Sequence, residues 1–273
     1  MYSKSTAVVS VFPAAGRILL LAFFLLHGVA KADELTLSIS LGLSPQQAAQ
    51  AYQPIVNYLS EATGQPIRLQ TSLNALTHWQ LMRRQDYDLV LDGPAFTAYR
   101  AAKMDYTVIG KLPDVLSFTL VAHADQMLFE SDELIGRTVA SQPSPSLGAL
   151  RLAQLYPNPM RQPDLIQRDT HAAAGRAVVE GNAVGAMIPS PLVASFPDLV
   201  PIYISEQAPA PGFSTSPRVS PEVRQRLRQA LLDAPNNEAG RAMLEALNVP
   251  EFEAASNETY LGLETMLEGL WGY

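Results

Sequence analysis

A short polar segment at residues 141–146 has the composition of an anion-binding loop. It contains three serines and two prolines without a bulky apolar side chain, and an apolar repeat typical of a helix follows it. A helix start has unpaired N–H groups and the positive end of the helix dipole. The hydroxyls of Ser144 and Ser146, with the N–H groups of Ser146 and Leu147, could therefore bind an anion. The alternative is an ordinary helix that Ser146 caps without binding a ligand.

His171 is a second candidate donor, because it lies in the first turn of another predicted helix. Asp169 or Thr170 is suited to cap that helix. A histidine at this position can donate a hydrogen bond to an anion beside the backbone N–H groups, and a protonated ring donates more strongly. The alternative is a surface histidine that takes no part in binding.

Acidic, hydroxyl and aromatic side chains follow a predicted buried strand at residues 88–91. Asp92 would raise the cost of binding an anion there, hold a cationic group of a ligand, or turn away into a loop hydrogen bond. The helix that begins after the Gly93–Pro94 turn starts with three side chains that could face a ligand: Phe96, Thr97 and Tyr99. Phe96 fits an apolar core equally well.

The elements that must position these residues alternate between strand and helix. The first series has strand patterns at 35–41, 67–71, 88–91 and 106–110 and helix patterns at 46–62, 76–84 and 95–103. The second series has strand patterns at 137–141, 165–168, 184–188 and 199–204 and helix patterns at 146–155, 171–180 and 191–194. This order predicts two α/β units, each with a mostly parallel sheet flanked by helices. Because ligands bind beyond the carboxyl ends of parallel strands, the candidate residues lie on the expected side of each sheet.

Three other segments complete this prediction. Residues 117–123 are interpreted as a segment that crosses to the second unit, and residues 206–217 as the segment that leads back. The remainder of the chain has helix patterns at 221–233, 238–248 and 258–269. Two units joined by extended crossings predict a ligand cleft between them.

The composition excludes several classes of function. The chain has no cysteine, so it has no disulfide, no catalytic thiol and no cysteine-ligated metal. None of the common nucleotide-binding, serine hydrolase or zinc protease motifs occurs. His123 and Asp125 could supply two metal ligands, but a third is not evident. A Ser–His–Asp arrangement stays open as an alternative that no pattern supports, and we expect no enzymatic activity, no cofactor and no metal.

The N-terminal residues have the pattern of a cleaved signal peptide. Lys4 and Arg17 precede an uninterrupted apolar run at 18–26, which is shorter than the roughly 20 residues that a membrane span needs. Ala30–Lys31–Ala32 matches the small-x-small cleavage pattern, so we predict cleavage after Ala32 and export of the mature chain. The alternative is an uncleaved membrane anchor. Cleavage would leave 16 basic against 26 acidic residues, a net charge of −10 that disfavours nucleic acid as a partner.

The chain resembles the periplasmic phosphate/phosphite/phosphonate-binding proteins of ABC importers, which have the type II periplasmic binding protein fold. The resemblance extends over nearly all of residues 35–273 and rests on five segments: Tyr52–Gly64, Tyr87–Pro94, Leu134–Thr138, His171–Gly181 and Ser220–Ala230. In that family, a Ser-Thr-Ser run, the histidine that opens the next helix and a tyrosine after Gly-Pro hold the oxyanion.

This chain matches part of that binding set and departs from it at three places. Ser144, Ser146 and His171 match the two serines and the histidine. Pro145 replaces the threonine, and the tyrosine position falls near Phe96 or Thr97. The aspartate that the family often has after the histidine helix is absent from Asn182–Ala183–Val184–Gly185.

The resemblance implies a monomeric solute-binding protein whose two lobes close around a small oxyanion. The first lobe would comprise residues 33–116 and 206–273, and the second lobe residues 117–205. The ligand would be phosphonate-, phosphite- or phosphate-like, with Asp92 available to an amine, and an ABC permease would receive it. The alternative is a periplasmic partner that presents its ligand to a membrane-bound kinase or receptor.

Overall fold

The structure is a computed structural model that describes residues 1–2, 34–41 and 43–270. The described residues from 34 to 270 belong to one compact unit. The features of the predicted signal peptide, at residues 4–32, lie outside the described residues. Within the described ranges, no helix has the length and apolar character that a membrane crossing requires.

Strands and helices alternate through most of the described chain, as the sequence predicts. The strands are β1 (Leu35–Ser40), β2 (Ile67–Leu69), β3 (Leu89–Asp92), β4 (Thr107–Lys111), β5 (Val115–Leu116), β6 (Phe118–His123), β7 (Thr138–Ser141), β8 (Asp164–Gln167), β9 (Gly185–Pro189), β10 (Leu199–Ile204), β11 (Ala208–Pro209) and β12 (Gly212–Thr215). The α-helices are α1 (Pro45–Ala51), α2 (Gln53–Thr63), α3 (Ala75–Arg83), α4 (Pro94–Lys103), α5 (Leu147–Leu155), α6 (His171–Val179), α7 (Pro221–Asp233) and α8 (Glu238–Leu247).

The first lobe is built on a five-stranded sheet in the order β2-β1-β3-β12-β4. Strands β1, β2 and β3 are parallel, and β12 is antiparallel to both of its neighbours. Along β3, Leu89 and Leu91 pack into a cluster with α2, α7 and α8, whereas Val90 packs into a cluster with α3 and α4. Helices therefore cover both faces, as expected where side chains alternate across a doubly buried strand.

The second lobe is built on another five-stranded sheet in the order β10-β6-β9-β7-β8. Strands β7, β8 and β9 are parallel, and β6 is antiparallel to β9 and β10. Residues of α5 pack on one face and residues of α6 on the other. The carboxyl ends of β7 and β8 lead directly into the starts of these two helices, so both helix starts lie at one edge of the sheet.

Two segments predicted to cross between the units belong to the sheets instead. Residues 118–123 form β6, and most of this strand is buried because it pairs on both sides. Residues 212–215 form β12, which inserts between β3 and β4. The extended connections are shorter than predicted, and within them β5 pairs with β11. The lobe boundaries at residues 117 and 205 stay a prediction.

The helix predicted at residues 46–62 is two helices in the structure. Helix α1 ends at Ala51, and α2 begins at Gln53 with Pro54 in its first turn. Proline has no N–H group to donate to the preceding turn, so the longer helix is interrupted there. Gly64 ends α2 with a left-handed φ of 68°, as its position predicts. The C-terminal helix predicted at 258–269 consists of short 3₁₀ turns at 257–260 and 263–267.

Candidate functional site

The serine segment forms a capped helix start at the edge of the second sheet. Ser146 is the N-cap of α5, and its Oγ accepts a hydrogen bond from the N–H of Ala149 at 3.3 Å. The same hydroxyl donates to the carbonyl of Gln142 at 3.3 Å, and the Ser146 N–H donates to the carbonyl of Pro143 at 3.0 Å. The predicted cap is confirmed, but the prediction that the Ser146 N–H is free for a ligand is wrong.

The unpaired N–H donors at the start of α5 belong to the two residues after Ser146. The N–H groups of Leu147 and Gly148 have no acceptor among the residues that the structure describes. The first turn of a helix leaves such groups unpaired and pointing outward. The Leu147 N–H was predicted as a donor, and its side chain packs in the apolar clusters on either side of it. Ser144 is exposed in the loop before the helix.

His171 opens α6 with its ring partly buried. Thr170 caps the helix, and its hydroxyl accepts from the N–H of Ala173 at 3.0 Å. The His171 ring lies edge-on to the ring of Phe118, with centroids 5.3 Å apart, and its Nδ1 atom is buried without a partner among the described residues. Burial lowers the pKa of His171, so the ring is neutral at pH 7. A neutral ring donates from only one of its nitrogens.

A direct hydrogen bond joins the two loops that contain these residues. The side-chain amide of Gln142 donates to the carbonyl of Asp169 at 3.0 Å. Phe118 is a second link between the two helix starts. A Cβ added at Gly148 would lie 2.9 Å from the Phe118 ring, and the same ring packs edge-on against His171. The structure thus brings the serine loop and His171 together. The sequence pattern places Phe118 in a predicted crossing segment at 117–123, so it does not predict the contact of Phe118 with these helix starts.

Asp92 does not face a ligand. It is 0% exposed, and Arg100 donates to both of its oxygens at 2.6 Å, with His78 Nε2 2.9 Å from Oδ2. Burial alone would raise the pKa of Asp92, but Arg100 and the hydrogen bond to His78 lower it to about 2. The carboxylate is therefore ionised and fully paired, and the hypothesis that it holds a ligand amine is wrong. Neither Arg100 nor His78 was predicted, since their spacing from Asp92 follows no motif.

The remaining candidates in the first lobe are mostly part of its packing. Thr97 is fully buried, and its hydroxyl donates to Asp92 Oδ1 at 3.1 Å, so it offers no hydroxyl to a ligand. Phe96 lies in the apolar cluster with Trp79 and Leu150, which agrees with its alternative interpretation as core. Tyr99 is partly buried, with its ring centroid 4.8 Å from that of Trp79. Since Leu150 belongs to α5, the second lobe packs against this cluster of the first lobe.

Comparisons with known proteins relate the chain to a family of binding proteins. Residues 37–260 match the family model described as "ABC transporter, phosphonate, periplasmic substrate-binding protein". No curated protein matches the chain significantly.

Solved structures of low sequence identity share the fold. A Xanthomonas citri protein bound to ATP has a TM-score of 0.72 at 12% identity, covering 88% of this chain and 100% of its own. The protein PhnD1 of Prochlorococcus marinus, in complex with methylphosphonate, has a TM-score of 0.68 at 13% identity, covering 86% and 97%. A binding protein component of an ABC phosphonate transporter from Pseudomonas aeruginosa has a TM-score of 0.66 at 15% identity, covering 86% and 85%.

Proposed function

The chain belongs to the family of periplasmic phosphonate-binding components of ABC transporters, and from that premise we propose that it captures a small oxyanion and delivers it to an ABC importer. The predicted resemblance and the predicted two-lobed α/β fold are confirmed. The family consists of substrate-binding proteins and not of enzymes, as the sequence predicts. The family match does not favour the alternative of a partner for a kinase or receptor.

The observation that carries the proposal is the meeting of two helix starts at one sheet edge. Each start has two N–H groups without an acceptor among the described residues, those of Leu147 and Gly148 in α5 and those of His171 and Ala172 in α6. The positive ends of both helix dipoles point to the same edge, which favours a negative charge there. The hydrogen bond between Gln142 and Asp169 holds the two starts together.

The donors at this edge are neutral groups. His171 is uncharged at pH 7 because burial lowers its pKa, and the Ser144 hydroxyl is exposed in the loop before α5. Backbone N–H groups and hydroxyls recognise the oxygens of an anion by hydrogen bonds and not by a paired charge. Methylphosphonate and ATP, which two structures of this fold contain, both present phosphoryl oxygens. These points support a phosphonate-, phosphite- or phosphate-like ligand.

Thermal unfolding in the presence of candidate anions tests this function. Inorganic phosphate, phosphite, methylphosphonate and methanesulfonate are added to the full chain one at a time. A ligand at 100 times its dissociation constant adds about 2.7 kcal/mol to the free energy of unfolding. At least one phosphorus oxyanion is expected to raise the melting temperature accordingly.

Two histidine variants show whether the proposed edge is responsible. His171→Ala removes a donor and should weaken binding by about 1.5–3 kcal/mol, the usual worth of a hydrogen bond to a charged group. His123→Ala is the matched control, because His123 lies at the opposite end of β6 and should leave the shift unchanged. Unmoved melting curves with every anion, or equal losses in the two variants, would contradict the proposal.

A further inference from the structure

Three hydroxyl groups form a cluster at the same edge of the second sheet. Ser190 follows β9, while Ser117 and Thr119 flank the first residue of β6. The Ser190 Oγ lies 2.8 Å from the Ser117 Oγ and 2.9 Å from the Thr119 Oγ1. The N–H of Ser190 also donates to the carbonyl of Ser117 at 2.9 Å, which fixes the backbone of the cluster.

One hydroxyl proton of this cluster has no acceptor among the described residues. Three hydroxyls carry three donors, but two hydrogen bonds join them, and no other described side chain or carbonyl accepts from any of the three. Thr119 is only 2% exposed, so its donor cannot turn to water and is directed at Ser190. The unused proton is therefore on Ser190 or Ser117, which are both partly exposed at the sheet edge.

The unused donor lies beside the two helix starts. Strand β9 is the neighbour of both β6 and β7, and neighbouring strands are about 4.8 Å apart. The loop after β9 that contains Ser190 is consequently next to the loop after β7 that leads to α5. Phe118, which lies between Ser117 and Thr119 in the chain, touches the ring of His171 with centroids 5.3 Å apart.

We propose that the hydroxyl cluster is a ligand subsite in which Ser190 donates a hydrogen bond to an oxygen of the bound oxyanion. This inference rests on the proposed function and adds a specific side chain to it. When Ser117 and Thr119 both donate to Ser190, the lone pairs of its Oγ are occupied and the group can only donate. Such a group binds an unprotonated anionic oxygen and offers nothing to a hydroxyl or ammonium group that needs an acceptor.

Isothermal titration calorimetry of the full chain with methylphosphonate, inorganic phosphate and sulfate tests the subsite. Ser190→Ala is expected to weaken the tightest-binding of these probes about tenfold to a hundredfold, as for loss of one hydrogen bond to a charged group. Ser195→Ala is the matched control, because Ser195 is an exposed serine in the same 3₁₀ turn at 190–195. The Ser195→Ala chain should bind the probe with the affinity of the wild type. If Ser190→Ala does not fold, Ser190→Cys repeats the test with a side chain of similar shape and a much weaker donor.

The outcomes separate the subsite from the function on which it rests. A wild-type chain that binds none of the three probes, nor phosphite, would overturn both. A wild-type chain that binds a probe, together with a Ser190→Ala variant of unchanged affinity, would overturn the subsite and leave the proposed function standing. A weakened Ser190→Ala beside an unaffected Ser195→Ala supports the subsite.

Discussion

The buried carboxylate of Asp92 organises a polar network in the interior of the first lobe. Arg100 pairs with both of its oxygens and also donates from Nε to Ser214 on β12 at 3.1 Å. The network therefore joins β3, α4 and β12, which are brought together from distant parts of the chain. Removing one partner of a buried ion pair leaves the other charge uncompensated, which costs far more than the pair contributes.

Asp92→Asn is expected to lower the free energy of unfolding by about 3–5 kcal/mol, because it leaves the Arg100 guanidinium buried without a counter-charge. Urea denaturation measures this loss. The exposed Asp164→Asn in β8 serves as the matched control and should change the stability by less than about 0.5 kcal/mol. Ligand affinity of folded Asp92→Asn should stay near that of the wild type, since Asp92 faces no ligand.

The same variant has a defined pH dependence. The pKa of Asp92 is about 2 in the folded chain, below its usual value of 3.8, so its contribution to stability is present above pH 4 and lost as the pH falls toward 2. The difference in stability between wild type and Asp92→Asn should shrink over that range. A difference that stays constant, or a loss of ligand affinity without a loss of stability, would contradict this role.

At the scale of elements, the start of α5 depends on the absence of a side chain at Gly148. A Cβ at this position would lie 2.9 Å from Cε1 and 3.0 Å from Cδ1 of the Phe118 ring, and 3.5 Å from Cγ of Met187. The glycine thus lets the helix start approach β6 and β9 closely. That approach brings the start of α5, with the N–H groups of Leu147 and Gly148, against Phe118, whose ring also touches that of His171.

Gly148→Ala is expected to destabilise the chain by about 1–2 kcal/mol and to weaken anion binding. Overpacking of a filled core costs about 1–3 kcal/mol, which exceeds the gain of up to about 1 kcal/mol in helix propensity. Chemical denaturation and calorimetry measure the two effects. Ala153→Gly, at an exposed position of the same helix, should lower stability by propensity alone and keep the wild-type affinity. A Gly148→Ala chain more stable than wild type would show that Phe118 has room to move.

Within residues 34–270, the two lobes are connected by a strand pair and share an apolar cluster. The paired strands β5 and β11 run between them, with Leu116 opposite Ala208. The cluster of Trp79, Phe96 and Leu267 in the first lobe also includes Leu150 of the second. The connection formed by β5 and β11 can bend with small backbone changes. The apolar contact of Leu150 with the first lobe, in contrast, is made or broken as a unit when the lobes move.

Lobe closure around the ligand is the expected response of the whole molecule. A ligand that contacts both lobes favours the closed arrangement and lowers the radius of gyration, which small-angle X-ray scattering measures. Saturating methylphosphonate should produce this decrease in the wild type. At about ten times the wild-type dissociation constant, His171→Ala should keep a larger radius than the wild type, because its binding is weakened about tenfold to a hundredfold. An unchanged radius in a wild type that demonstrably binds ligand would exclude closure as the mechanism.

Much of the local structure follows from residues that are close in the sequence. Ser146 caps α5 as predicted, Thr170 is the one of the two predicted candidates that caps α6, and α7 has the predicted bounds, because caps and apolar periodicity act within a few residues. The alternation of strands and helices likewise predicts parallel sheets with helices on both faces. Together with the family resemblance, these local signals determine the fold class, and they predict the side of each sheet on which a ligand binds.

Only the tertiary structure decided which distant residues meet. The insertion of β12 between β3 and β4, the pairing of Asp92 with Arg100, and the contact of Ser190 with Ser117, 73 residues away, have no signal in the local pattern. A carboxylate at a strand end satisfies the same sequence pattern whether it faces a ligand or a buried guanidinium. The burial around it and the partners that folding brings to it decide between the two, because an ionised group without water must be paired where it lies.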